Sequence, residues 1–261
     1  MLDRAIERVS RHDRGVVLAG LVGVIAVAWA YLFWEAARMA APMDGMASPM
    51  ASDLAGAFFT TFLMWAVMMV GMMLPSAGPA ILLYGGIVRK NRERGQAVAA
   101  VYVFAAGYLI VWTAFSVIVA AFQVLLGQLE LLSPMMVSTS TVLSGIFLLA
   151  AGLYQWFPVK QACLRICRSP LSFFTMHWRQ GPAGALRMGL EHGVICVGCC
   201  WSLMLLLFIG GVMNLVWVAV VAGFILVEKL LPKGRLTAQF AGVGLIAAGL
   251  AVLLGVLRVG S

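Results

Sequence analysis

Charged side chains are scarce. Asp, Glu, Lys and Arg make up 11% of the 261 residues, where a soluble domain carries roughly 25%. With 63% apolar residues and a mean hydropathy of +1.01, the composition implies a polytopic membrane protein. Alternating apolar–polar runs are missing too. The apolar stretches are continuous, so a membrane β-barrel is excluded and the fold class is all-α. No nucleotide-binding loop and no large soluble domain is visible, which excludes an ATP-driven pump. Of three histidines only His192 lies near an apolar segment, too few for a bis-His haem. None of the five cysteines falls in a predicted external segment, so no disulfide framework is expected. The net charge of +8 does not argue for nucleic acid, because basic residues of membrane proteins collect on cytoplasmic loops. The expected surroundings are a lipid bilayer.

What is abundant is the apolar run. A helix needs ~20 such residues to cross the hydrocarbon. Seven segments meet or approach that, at about 16–34, 54–76, 97–126, 135–154, 190–210, 212–231 and 238–257. The chain thus divides into an N-terminal segment 1–15, a first span 16–34, an external loop 35–53 and a six-helix domain 54–261. Gly210-Gly211 reads as a tight turn, with Asn214 capping the sixth span. Segment 54–88 would be ~52 Å long as a straight helix, so a kink or break is expected near Pro75. Seven spans place sixteen of the eighteen Lys and Arg residues on one side, leaving Arg38 and Arg258 on the other. The N-terminus is then cytoplasmic and the C-terminus external, as in a bacterial inner-membrane protein. The first span, edged by Trp29, Tyr31 and Trp34, reads as an anchor rather than a cleaved signal. Loop 155–187 mixes Phe173, Phe174 and Trp178 with basic residues, and part of it is expected on the membrane surface. Glu228 and Lys229 read as an interfacial, solvated pair at a span end; the other reading is a buried Glu228 that needs a basic partner or a cavity and serves a proton role.

Nine of the sixteen methionines fall between residues 39 and 73. Met39, Met43, Met46 and Met50 punctuate a polar stretch in the external loop, where spacings of four, three and four let thioethers converge on one ion. Thioethers are soft ligands that suit Cu(I); the other reading is a docking loop for a membrane or a partner protein. Met64, Met68 and Met72 form a stripe on one helix face, with Met69 and Met73 beside it. A thioether ladder would pass a soft cation between weak sites, whereas Met is also an adaptable core filler. The ladder shares its Met-x3-Met spacing with the eukaryotic high-affinity copper transporters.

The fifth span opens EHGVICVGCCW. At 100° per residue His192, Cys196, Cys199 and Cys200 lie within an arc of about 100°, a set suited to Cu(I) or Zn(II). Cys is also a small apolar packing residue. Cys163 and Cys167, four apart in the loop, share a face if that stretch is helical. The fifth-span cysteines reach a depth similar to Met69–Met73, so contact between these two helices would join the ladder to the thiols.

At MWAVMMVGMMLPSAGP, CLRICRSP, HGVICVGCCWSLMLLLFIGGVMN and EKLLPKG the chain resembles a bacterial family of predicted metal-binding integral membrane proteins filed as a domain of unknown function. The resemblance covers roughly 55–235. It points to Met68, Met69, Met72, Met73, Pro75, Cys163, Cys167, Cys196, Cys199, Cys200, Met213, Asn214, Glu228 and Lys229, and it implies metal binding without an established reaction. The leading expectation is a copper-handling protein, a transporter or a metal-delivery factor rather than an enzyme. Zinc is the second metal. A membrane redox enzyme and a non-catalytic subunit, docking through the Met loop and open to oligomerisation, are the alternatives.

Overall fold

The structure is a computed structural model. It describes residues 2–40, 54–93, 100–133, 136–231 and 234–257, the side chains of 2–14, 40 and 93 excepted. The described residues form ten helices: α1 (Leu2–Ala40), α2 (Leu54–Glu93), α3 (Val101–Gln128), α4 (Thr141–Tyr154), α5 (Pro158–Arg168), α6 (Pro170–His177), α7 (Gly181–Met204), α8 (Leu207–Gly210), α9 (Leu215–Leu230) and α10 (Gly234–Leu253). The sole β feature among them is an isolated bridge between Leu132 and Ser138.

Among the described residues, five helical segments are long and apolar enough to cross a membrane: Gly15–Met39, Leu54–Arg92, Val101–Gln128, Gly181–Gly210 and Gly234–Leu253. The pair α4 and α5, bent by 64°, makes a sixth if it counts as one broken span. Length and apolarity thus support five or six of the seven expected spans among the described residues. The fourth expected segment starts as a helix only at Thr141, because Ser140 caps it by accepting the Leu143 N–H at 3.3 Å. The sixth is confined to 16 residues of α9, started by Asn214, whose Oδ1 accepts the Trp217 N–H at 3.2 Å as expected. Many apolar side chains on the outer faces are exposed, among them Val22, Val27 and Phe33 of α1 and Phe240 and Val243 of α10, as befits surfaces turned to lipid.

Of the kink or break expected near Pro75, the break is absent. Helix α2 runs through Pro75 and Pro79 without interruption. Proline is tolerated inside apolar helices where side chains and neighbouring helices hold the backbone. Here the Met73 carbonyl accepts hydrogen bonds from Ser76 Oγ (2.8 Å) and from the Tyr108 hydroxyl of α3 (3.1 Å).

Glycines bring the backbones together. A Cβ on Gly189 of α7 would run into the Phe104 carbonyl of α3, and one on Gly107 of α3 into the Leu186 carbonyl. Small residues of this kind let apolar helices touch along their backbones. Helix α3 thereby packs along α7 on one side and α2 on the other.

The loop between α4 and α7 is not a surface strap throughout. Phe173 and Phe174 of α6 are fully buried, with Phe174 5.4 Å from Phe104 and 5.7 Å from Tyr84, ring centre to ring centre. Two aromatic side chains bury more apolar area in the core than a lipid-surface position would remove from water. Helix α5 is fastened to α9 at two points. Arg168 Nη2 donates to the Leu231 carbonyl at 2.6 Å. Lys160 Nζ lies 3.0 and 3.2 Å from the Glu228 carboxylate oxygens, with the two side chains 0% and 2% exposed. Glu228 is thus not solvated at a span end. Its partner comes from 68 residues away, which no local pattern reveals.

Removing one member of a buried ion pair strands the other charge and costs about 3–5 kcal/mol. Glu228→Gln and Lys160→Met are each expected to lower the thermal unfolding midpoint in detergent. The double variant Lys160→Met/Glu228→Leu should recover much of the loss, because both charges leave together.

Candidate metal centre

Three of the five cysteines come together. The Sγ atoms of Cys167 on α5 and of Cys196 and Cys199 on α7 all lie within 4.8 Å of one another. Cys199 Sγ is 3.8 Å from Cys167 Sγ. Helical spacing brings Cys196 and Cys199 onto one face of α7, and the tie of α5 to α9 sets Cys167 opposite them. Cys196 and Cys199 are buried, and Cys167 is half-buried.

The remaining expected ligands are placed differently. Cys200 is buried beside the trio, but its sulfur is not among those that all lie within 4.8 Å of one another; its thiol donates to the Cys196 carbonyl at 2.8 Å, as that of Cys199 does at 3.1 Å. His192 is buried one turn before Cys196. Its ring packs against Phe173 (5.1 Å), Tyr108 (5.9 Å) and Phe104 (6.0 Å), and its Nδ1 has no hydrogen-bond partner. Cys163 is half-buried on α5, one turn before Cys167, with its sulfur against Gly198 of α7. The co-facial arrangement of His192, Cys196, Cys199 and Cys200 is present, yet two of its four members join the trio and the third ligand comes from α5.

Met64, Met68, Met69, Met72 and Met73 are all buried. Direct packing of α2 along α7 is not what joins this stripe to the thiols, since α3 runs along both. The link is made of two polar side chains. The Tyr108 hydroxyl is 3.1 Å from the Met73 carbonyl and 3.1 Å from Cys196 Sγ. Lys229 Nζ of α9 donates to Ser76 Oγ of α2 at 3.0 Å and lies 2.9 Å from Cys196 Sγ. Met39 is exposed near the end of α1. Met43, Met46 and Met50 lie outside the described residues.

Tyr108, Ser76 and Lys160 escape a reading of the sequence, and Lys229 is noted there as part of a solvated pair and by the family resemblance, without its partners. Nothing local marks them, because each acts on a partner distant in the chain.

The chemistry of the donor set is specific. Three sulfurs that approach one another offer a soft site of two or three ligands, which fits Cu(I). A structural zinc site wants four ligands, and the neighbour on the far side of Cys196 is an ammonium, which cannot coordinate.

Membrane-length apolar helices around a buried cluster of thiols define an all-helical protein equipped to hold a soft metal ion. The chain belongs to the copper chaperone family PpoB2, which it matches over residues 62–252. That match takes in the cysteines, the Met64–Met73 stripe and Lys229, and leaves out α1 and the Met39–Met50 segment. Comparison with curated proteins gave no match, and neither did comparison with solved structures.

Burial orders the thiols by reactivity. A maleimide reagent applied to the native protein is expected to modify at most Cys163 and Cys167, with Cys196, Cys199 and Cys200 reacting only after unfolding. Mass spectrometry of the labelled chain checks this, and modification of three or more sites in the folded protein would contradict the arrangement.

Proposed function

We propose that this protein holds Cu(I) within the membrane at Cys167, Cys196 and Cys199 and delivers it to a partner protein. The observation that carries the reading is the convergence of three thiols from two helices, inside a chain of the copper chaperone family. Copper is the cargo here, and the site offers it sulfur ligands alone. Membership of a chaperone family favours delivery over transport as the outcome.

The remaining soft donors fit around this centre as a route. The basic loops orient the protein in the bacterial inner membrane with the N-terminus cytoplasmic, so the external thioethers Met39, Met43, Met46 and Met50 collect the ion. Met64, Met68, Met69, Met72 and Met73 pass it inward between weak sites. Cys163, half-buried one turn from Cys167, is the exit ligand towards a membrane partner on the cytoplasmic side, while a periplasmic partner would meet the external Met loop. Zinc is a poorer cargo because a fourth ligand is not offered.

Full-length protein purified in detergent is expected to bind about one Cu(I) per chain, measured by competition with a chromogenic Cu(I) chelator. Cys196→Ser/Cys199→Ser should abolish stoichiometric binding. Met68→Leu/Met72→Leu should leave the stoichiometry unchanged while slowing loading, since weak sites along a route affect rate rather than the final occupancy. Copper bound at full stoichiometry by the double cysteine variant would overturn the assignment.

A further inference from the structure

The buried charges around the thiols do not cancel among the side chains already paired. Lys160 and Glu228 neutralise each other at 3.0 Å. Lys229, the next residue on α9, is also buried and points to a different side of the helix. Its polar partners are Ser76 Oγ at 3.0 Å and Cys196 Sγ at 2.9 Å. Ser76 is itself tied down, donating to the Met73 carbonyl. An ammonium in an apolar interior is costly unless it is paired with an opposite charge. The serine supplies a hydrogen-bond acceptor but no charge. The sulfur of a metal ligand supplies both.

We propose that Lys229 is the positioning residue of the copper site and the counter-charge of the loaded state. This rests on the assignment of copper to the thiol trio. One Cu(I) held among the three sulfurs, two of them thiolates and the third a neutral thiol, carries one negative charge, which a buried site could not hold alone. The Lys229 ammonium cancels it without competing for the metal, because an ammonium has donors and no free lone pair. A copper-bound thiolate retains lone pairs, so Cys196 can keep accepting the Lys229 N–H while ligating. Ser76 and, through it, the Met73 turn of α2 fix where Nζ sits. Lys229 thereby aims Cys196 and links the end of the methionine stripe to the thiol site. It also disfavours divalent ions on the same two thiolates, since these would leave a net positive charge buried.

The test uses full-length protein in detergent and Cu(I) supplied with a chromogenic chelator. Lys229→Gln keeps a donor towards Ser76 and removes the charge. It is expected to weaken Cu(I) binding by roughly 30-fold or more, the loss typical of truncating one partner of a buried charged pair. Lys229→Arg should recover most of the affinity, which a purely structural role would not require. Thermal midpoints recorded in parallel separate binding from folding. If Lys229→Gln is not obtained folded, Lys229→Met takes its place with the same expectation. Cu(I) affinity within about threefold of the parent in a folded uncharged variant would overturn the proposal, as would Lys229→Arg behaving no better than Lys229→Gln. Because Cys196→Ser/Cys199→Ser is measured beside them, the two failures are distinct. Retained copper in the cysteine variant defeats the site, whereas lost copper there with undiminished binding in the lysine variants defeats only the role of Lys229.

Discussion

Everything around the thiol site depends on placing ionic groups inside an apolar helical interior and giving each a partner. Lys160 and Glu228 form one neutral pair between α5 and α9, and Lys229 reaches from α9 to Ser76 of α2 and Cys196 of α7. These bonds decide which helices can be neighbours. Apolar side chains pack in many registers with similar energy, but a buried charge is satisfied in very few. With α5 pinned by its ion pair, Cys167 is held against Cys196 and Cys199. The thiol cluster is thus a by-product of charge pairing as much as of cysteine spacing.

The second constraint is backbone proximity. Gly107 and Gly189 allow α3 and α7 to touch, and α3 carries Tyr108 into the gap between the Met73 carbonyl and Cys196. A bulkier residue at either glycine would separate the helices and take Tyr108 out of reach of one partner. The same closeness supports α2 beside its prolines: Tyr108 meets the Met73 carbonyl, which lies between the Gly71 and Pro75 carbonyls that lose their ladder donors to Pro75 and Pro79.

How much of this is legible in the sequence follows from the range of each interaction. The all-helical class and the apolar lengths are read from composition and hydropathy, which are local. Cys196 and Cys199 are found because three residues along a helix is nearly one turn. The Asn214 cap is likewise a signal spanning three residues. Cys167 is recognised as a candidate, but its meeting with α7 is not, because that depends on a bend of 64° and on the Lys160–Glu228 pair. Glu228 and Lys229 look like a polar helix end until their partners on α5, α2 and α7 are known. Phe173 and Phe174 mislead in the opposite sense, since aromatics beside arginines suit a membrane surface and a core equally well. The seven apolar segments outnumber the five or six membrane-length helices for a related reason: caps at Ser140 and Asn214 shorten α4 and α9.

Family membership and geometry meet at one prediction about ligand chemistry. The most direct measurement is copper K-edge X-ray absorption on the full-length protein loaded with one equivalent of Cu(I). The account predicts a first shell made only of sulfur, two or three atoms, that disappears in Cys196→Ser/Cys199→Ser. A first shell containing nitrogen or oxygen from His192 or another side chain, or a sulfur shell that persists without those two cysteines, would contradict it.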